Sequence, residues 1–185
     1  MKDLQDLRFI ELAEVHLEII RNWRNSHDVA QYMYTEREIS QEEQKKWFQV
    51  LENDTTKKYW IIEYRGKLIG VVNLVNINYE FRSAYWAFYI GETSVRGGGI
   101  GAKIEYSVLN YVFDELKLNK LLCEVFVSNE AVIKLHEKFG FRREAYYRNH
   151  IPKTGKFLDV IGLAIFKDEW EKIKQSFEFL AGNKD

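Results

Sequence analysis

Apolar residues recur along the chain at two spacings, and each change of spacing marks an element. Leu7 to Leu12 reads as a strand. Val15 to Asn25 follows as a helix, with Val15, Ile19, Ile20 and Trp23 on one face. Ser40 with Glu43 forms a capping box, which predicts a second helix reaching about Leu51. Two apolar strands, Tyr59 to Tyr64 and Lys67 to Val75, meet at Arg65-Gly66, a tight hairpin. An aromatic strand, Tyr85 to Ile90, leads into a glycine run, and an amphipathic helix follows from Ala102 to Leu116 with Ile104, Val108, Val112 and Phe113 inward. Leu121 to Val127 is a short buried strand, and Asn129 to Phe139 a helix ending at Gly140, a C-cap residue. Arg142 to Ile151 and Phe157 to Phe166 pair as a closing hairpin around Pro152-Lys153-Thr154-Gly155-Lys156, and a last helix starts near Lys167. This order mixes antiparallel hairpins with a crossover. It predicts an α/β (α+β) class with a mixed sheet and helices on both faces.

Composition narrows the class. The 185 residues are 46% apolar and 30% charged, a globular mixture expected to form one domain over residues 1–185. A net charge of −1 gives no reason to expect nucleic acid as a partner. The single cysteine, Cys123, excludes an internal disulfide and suits a reducing compartment. No signal-peptide pattern opens the chain and no apolar run approaches a membrane span, so a cytoplasmic protein without a membrane partner is expected. The aromatic content of 15% suggests aromatic pocket walls as well as core. His16, His27, His136 and His150 show no metal-ligand spacing, so no metal is expected.

The run Arg96-Gly97-Gly98-Gly99-Ile100-Gly101 carries the most chemical information. Glycines permit positive φ and close approach of the backbone to an anion, and free N–H groups at the following helix start point at it. Strand, glycine loop and helix thus predict a phosphorylated ligand. No Lys-Ser or Lys-Thr follows Gly101, so this is not the nucleotide P-loop. The loop also lies mid-chain, after antiparallel-type strands, which does not suit a dinucleotide fingerprint.

Arg-x-x-Gly-x-Gly at Arg96–Gly101, then Asn129, then Leu135-His136-Glu137-Lys138-Phe139-Gly140-Phe141, resembles the GCN5-related N-acetyltransferases (GNAT) over about residues 7 to 170. The resemblance implies a mostly antiparallel sheet of about seven strands, splayed where acetyl-coenzyme A (acetyl-CoA) binds. It implies that Arg96, Gly97, Gly98, Gly99, Ile100, Gly101 and Ala102 wrap the pyrophosphate, and that the pantetheine arm pairs with Phe88, Tyr89 and Ile90 and is held by Asn129. Acetyl-CoA is then the cosubstrate.

Acyl transfer to an amine requires a proton acceptor for the amine, stabilisation of the oxyanion and, for the leaving thiolate, a proton. A backbone N–H near Tyr89 or Ile90 is a candidate for the oxyanion. His136 stands where many members of the resembled family carry a Tyr that protonates the thiolate. Imidazole, titrating at about 6.5, can donate a proton or orient the thiol; pairing with a nearby carboxylate on the helix face is the other reading. Glu124 interrupts an otherwise apolar strand and is the candidate base, with a structural pair to a Lys or Arg as its alternative. Ser83 and Tyr85 are weaker candidates for the same task. Cys123 reads as core packing rather than as a nucleophile for His136.

Trp23-Arg24-Asn25, with Ile39-Ser40, Glu43 and Trp47-Phe48, resembles two branches of the family. One acetylates ribosomal-protein N-termini. The other, the closer, acetylates UDP-4-amino sugars such as UDP-4-amino-4,6-dideoxy-N-acetyl-β-L-altrosamine in pseudaminic acid biosynthesis. The second implies direct attack of the sugar amine on acetyl-CoA in a ternary complex. Arg24, Asn25, Trp47 and Tyr85 are the candidate acceptor-binding residues, with Arg24 a clamp for the diphosphate or else an ion pair tying helix to sheet. Arg148, His150, Lys153 and Lys156 add positive charge around the last hairpin, or form a solvated face. Protein or polyamine acetylation, and a non-catalytic CoA-binding module, are the alternatives. The sequence leaves the oligomeric state open, a homodimer included.

Overall fold

The structure, a computed structural model, describes residues 1–182; the last three positions of the expected 1–185 span lie outside the described residues. The chain begins with β1 (Leu7–Glu11), a 3-10 turn (Glu14–His16), α1 (Leu17–Asn25), the short α2 (His27–Ala30) and α3 (Gln41–Leu51). Strands β2 (Lys58–Tyr64), β3 (Lys67–Asn78) and β4 (Ser83–Ile90) follow, then α4 (Ile100–Asn110), whose last turns widen into a π segment (Tyr111–Glu115). Next come β5 (Lys120–Phe126), α5 (Glu130–Lys138), β6 (Arg142–Lys153), β7 (Lys156–Phe166), α6 (Lys167–Ile173) and a 3-10 segment (Lys174–Ala181).

The strands form one sheet in the order β1-β2-β3-β4-β5-β7-β6. All neighbours are antiparallel except β4 and β5. That parallel pair is in register only at Ser83–Lys120, Ala84–Leu121 and Tyr85–Leu122. Beyond Tyr85 the two strands part. From Trp86 to Ile90, β4 keeps β3 on one edge and, among the described residues, has no strand on the other. The sheet is thus mixed, seven-stranded and splayed at its centre, as the resemblance implies.

Helices cover both faces. On one, α4, α5 and α6 bury Ile104, Val108, Val112, Phe113, Ile133, Phe139 and Trp170 against Ile62, Val72, Trp86 and Cys123. On the other, Leu17, Ile20, Trp23 and Phe48 pack on Ile61 and Val71. The Ser40 capping box forms as expected: Oγ accepts from the Glu43 N–H at 3.2 Å, and the Glu43 carboxylate accepts from the Ser40 N–H at 3.0 Å.

Three expectations change in detail. Val15 is 82% exposed, because residues 14–16 wind as a tighter turn and α1 begins only at Leu17. The last hairpin turns at Thr154-Gly155 alone, both at positive φ, so β6 continues through Pro152 and Lys153. Pro152 is tolerated there because β6 is an edge strand. The helix after the glycine run starts at Ile100, two residues early, with Gly99 in the left-handed conformation as its N-cap. No helix among the described residues is long and apolar enough to cross a membrane.

Candidate active site

The parting of β4 and β5 opens a cleft of about 600 Å³. Trp86, Phe88, Tyr89 and Ile90 line one wall; Cys123, Glu124 and Phe126 line the other, with Asn129 and His136 from the α5 side. A wider hollow of about 760 Å³ between the α1–α3 layer and β2 is a charged surface depression, away from the glycine loop and the split strands.

The glycine loop stands at one end of β4. Gly97, Gly98 and Gly99 have φ of 94°, 57° and 77°, and a Cβ on any of them would meet nothing within 4 Å. Three consecutive left-handed residues with open space above them leave a concave surface of backbone, on which a phosphate can rest. Gly101 serves packing instead, because a Cβ there would come within 3.1 Å of Leu135. Ile100 is buried and Ala102 half-buried at the start of α4. Arg96 folds back: its Nη2 donates to the Ile90 carbonyl at 2.9 Å and to the Asp28 carbonyl at 3.2 Å. It pins the loop to the end of β4 and occupies one of the Ile90 acceptors. Asn129 precedes α5 and makes no side-chain capping bond, and it faces the cleft.

His136 and Glu124 flank the same cleft from opposite faces of β5. His136 is 3% exposed, with its Nδ1 2.9 Å from Glu105 Oε1. Trp86 and Phe141 each lie 5.2 Å from its ring. Burial drives the imidazole toward the neutral form, but the Cys123 sulfur and the Glu105 carboxylate outweigh it, and its pKa is pushed up to about 10. Burial likewise pushes the Glu105 carboxyl up, with His136 opposing. Two buried groups that are both raised hold a proton in common through neutral pH. The two sequence readings of His136, a carboxylate-paired histidine and a residue at the cofactor cleft, therefore coexist. Glu124 Oε2 accepts from the Tyr34 hydroxyl at 2.8 Å, so its partner is a phenol and not a Lys or Arg. Burial, with Glu124 adding to it, raises the Tyr34 pKa and keeps the hydroxyl protonated.

An open glycine loop at positive φ, a strand edge left open by the splay and a histidine and a glutamate beside it are together compatible with acyl transfer from a CoA thioester. The sequence profile of the acetyltransferase (GNAT) domain matches residues 6–142. The chain belongs to the GNAT family. It is an acetyl-CoA-dependent N-acetyltransferase. It is 32% identical to acetyltransferase PseH of Campylobacter jejuni over 133 residues, covering 72% of this chain and 81% of PseH. It is 28% identical to spermidine N(1)-acetyltransferase of Vibrio cholerae over 165 residues, 89% of this chain and 94% of that one. The crystal structure of the Vibrio cholerae spermidine N-acetyltransferase in complex with CoA and spermine superposes with a TM-score of 0.84 at 26% identity, covering 90% of this chain and 98% of that one.

The acceptor side of this acetyltransferase departs from the sequence reading. Of Trp23-Arg24-Asn25, only Arg24 lines the cleft. The Trp23 ring covers Gly91, and its Nε1 donates to Glu92 Oε1 at 3.1 Å. Asn25 clamps Ile39, donating to its carbonyl and accepting from its N–H, both at 2.9 Å. Trp47 lies edge-on to Tyr59 at 5.2 Å, outside the cleft. Asn25 and Trp47 are thus holding pieces of the fold rather than cleft residues, while Tyr85 does line the cleft. Lys153 is also withdrawn from the positive group on the hairpin. It is 6% exposed and donates to the Ala30 and Met33 carbonyls at 2.9 and 2.6 Å.

Arg24 donates to the Met33 sulfur and makes no ion pair among the described residues, so it does not tie helix to sheet through a carboxylate. Around it stand Asp28, Tyr32, Met33 and Tyr34 of the segment after α1. Sequence reasoning missed Tyr34 and Glu105. Tyr34 carries no local signal. Glu105 does carry one, a carboxylate inside the apolar stripe of α4 beside Ile104, Val108 and Leu109. No group of three or more His, Cys, Asp or Glu side chains among the described residues could hold a metal ion.

Proposed function

We propose that this enzyme transfers the acetyl group of acetyl-CoA to the 4-amino group of a UDP-linked 4-amino-4,6-dideoxy sugar, by direct attack of the amine in a ternary complex. Arg24 carries the proposal. A guanidinium with no carboxylate partner, at a cleft wall lined by Tyr32, Tyr34, Tyr85 and Phe126, suits an anionic, ring-bearing ligand. A polyamine, with several cationic amines, calls for an array of carboxylates, and the cleft has only Asp28 and Glu124 beside the cations Arg24 and Arg96. The similarity to PseH supports the branch that Trp23-Arg24-Asn25 resembles. Polyamine acetylation is the second reading, favoured by the long match to spermidine acetyltransferase.

In the proposed reaction the loop from Arg96 to Ala102 holds the pyrophosphate, and Phe88, Tyr89, Ile90 and Asn129 hold the pantetheine arm. The amine attacks the thioester carbonyl, and Glu124, oriented by Tyr34, takes its proton. As the carbon–sulfur bond breaks, His136 gives a proton to the thiolate. General acid–base help of this kind contributes roughly 10²–10⁴-fold each.

The purified protein is offered acetyl-CoA with a UDP-4-amino-4,6-dideoxy sugar, with spermidine and with basic N-terminal peptides, and thiol release and product mass are followed. Acetylated sugar nucleotide is the expected product. Acetylation of spermidine or of peptides alone overturns the sugar reading. Binding of acetyl-CoA with no thiol released in the presence of any of the three amines overturns the sugar reading and both alternatives to it.

A further inference from the structure

We propose that Glu105 is a positioning residue for acetyl transfer: through His136 it holds ready the proton that the departing thiolate of coenzyme A takes up. The proposal rests on the reading of His136 as the acid, and holds for a sugar or a polyamine acceptor.

The two residues come from different elements. Glu105 lies one turn into α4, on the helix that opens at the glycine loop, and has no exposed surface. His136 lies in the last turn of α5 and lines the cleft. Their 2.9 Å contact fixes one edge of the ring on Oε1, while the other carboxylate oxygen has no protein partner. A carboxylate with no solvent contact and a single hydrogen bond is unstable alone, and a protonated imidazole is the group that relieves it. The pair therefore stores a proton at the cleft wall.

One other group bears on the imidazole, and it acts in the same direction as Glu105. From β5 the titratable group facing His136 is Cys123, and from α4 it is Glu105. Trp86 of β4 and Phe141, which precedes β6, present only rings. Glu105 itself faces no ionisable group but His136 among the described residues. An isolated imidazole at neutral pH is mostly neutral; Cys123 and Glu105 both hold this one protonated against burial, so loss of the Glu105 carboxylate lowers the protonated fraction without abolishing it. Atoms balance simply: the thiolate gains the proton, the pair loses it, and solvent restores it after coenzyme A leaves.

The test compares Glu105→Gln and His136→Phe with the wild type, using acetyl-CoA and the UDP-4-amino sugar, or spermidine if that is the amine turned over. Glu105→Gln is expected to lower kcat at least tenfold, to leave KM for acetyl-CoA within about twofold, and to move the alkaline limb of the kcat–pH profile to lower pH. Glu105→Asp is expected to restore part of the limb. Wild-type kcat and profile in Glu105→Gln, beside a loss in His136→Phe, overturn the role of Glu105 alone. No loss in either variant overturns the acid reading of His136 as well.

A second measurement needs no variant. In 15N-detected spectra of the wild-type protein, the His136 ring is expected to keep its proton between pH 6 and 8 (a range spanning the free imidazole value of about 6.5). A ring that titrates freely in that range overturns the proposal. So does an acetyl adduct on Cys123 after incubation with acetyl-CoA, which would make the pair the base of a cysteine nucleophile.

Discussion

Gly91 follows β4 at the point where the Trp23 ring arrives, and a Cβ there would meet that ring at 2.2 to 2.4 Å. The ring is held by its bond to Glu92, which also pairs with Lys67 at 2.6 Å. Accommodating a methyl group requires the buried Trp23 ring to shift, so Gly91→Ala should destabilise the protein by about 1–3 kcal/mol, read from urea unfolding. An unchanged midpoint would show that α1 shifts freely. Asn25→Ala removes both hydrogen bonds to Ile39 and leaves its half-buried backbone N–H and C=O without that partner, at a cost of about 1 kcal/mol. Its KM for acetyl-CoA should stay near wild type, which separates a clamp from a cofactor ligand. Arg24→Gln should do the reverse, raising KM for the sugar nucleotide tenfold or more with little loss of stability. Trp23, Arg24 and Asn25 are consecutive at the end of one helix. The structure divides them because only Arg24 turns toward the gap between β4 and β5.

At the scale of elements, the glycine loop adjoins the cleft directly, and the last hairpin bears on it through the segment that carries Tyr34. Gly98 has φ of 57° and open space where a Cβ would stand. Gly98→Ala meets no clash but pays a left-handed backbone strain of about 1–2 kcal/mol. Its Cβ enters the space proposed for the pyrophosphate, so KM for acetyl-CoA should rise tenfold or more, and a KM equal to wild type would remove the loop from cofactor binding. The hairpin acts through that segment. Lys153 holds the Ala30 and Met33 carbonyls, and the Thr154 N–H donates to Glu36 at 2.8 Å. The segment that carries Tyr34 is thereby tied to β6. Lys153→Met should raise KM for the acceptor and leave KM for acetyl-CoA unchanged, since the segment and not the loop is released. Loss of acetyl-CoA affinity in this variant would contradict that division.

For the whole molecule, pH reports the balance of buried charge. His136 has a folded pKa of about 10 against its ordinary value of about 6.5, and the Glu105 carboxyl is also raised. The His136 contribution is full below its unfolded value and is lost as pH rises through about 10, while the raised Glu105 carboxyl adds a loss in the same direction. Asp6 works in the opposite sense, because the hydrogen bond from Lys103 at 2.6 Å lowers its pKa and its contribution is lost in acid. The urea midpoint should therefore fall between pH 6.5 and 9.5 (roughly from the free imidazole value toward the raised one), and a flat midpoint would mean that the buried pair holds no proton. Much of this enzyme was legible in its sequence. Capping at Ser40, the hairpin at Arg65-Gly66, the glycine loop and the inward stripe of α4 are local, since each depends on side-chain periodicity and turn chemistry within a few residues. The strand number and the splay followed from the family resemblance rather than from those patterns, and the strand order came from the fold itself. What joins residues far apart was decided by tertiary structure alone. Tyr34 meets Glu124 across 90 positions and Glu105 meets His136 across 31, because splayed strands and packed helices bring them to one cleft. A polar residue in an apolar stripe announces that it needs a partner, and only the packed fold supplies which one.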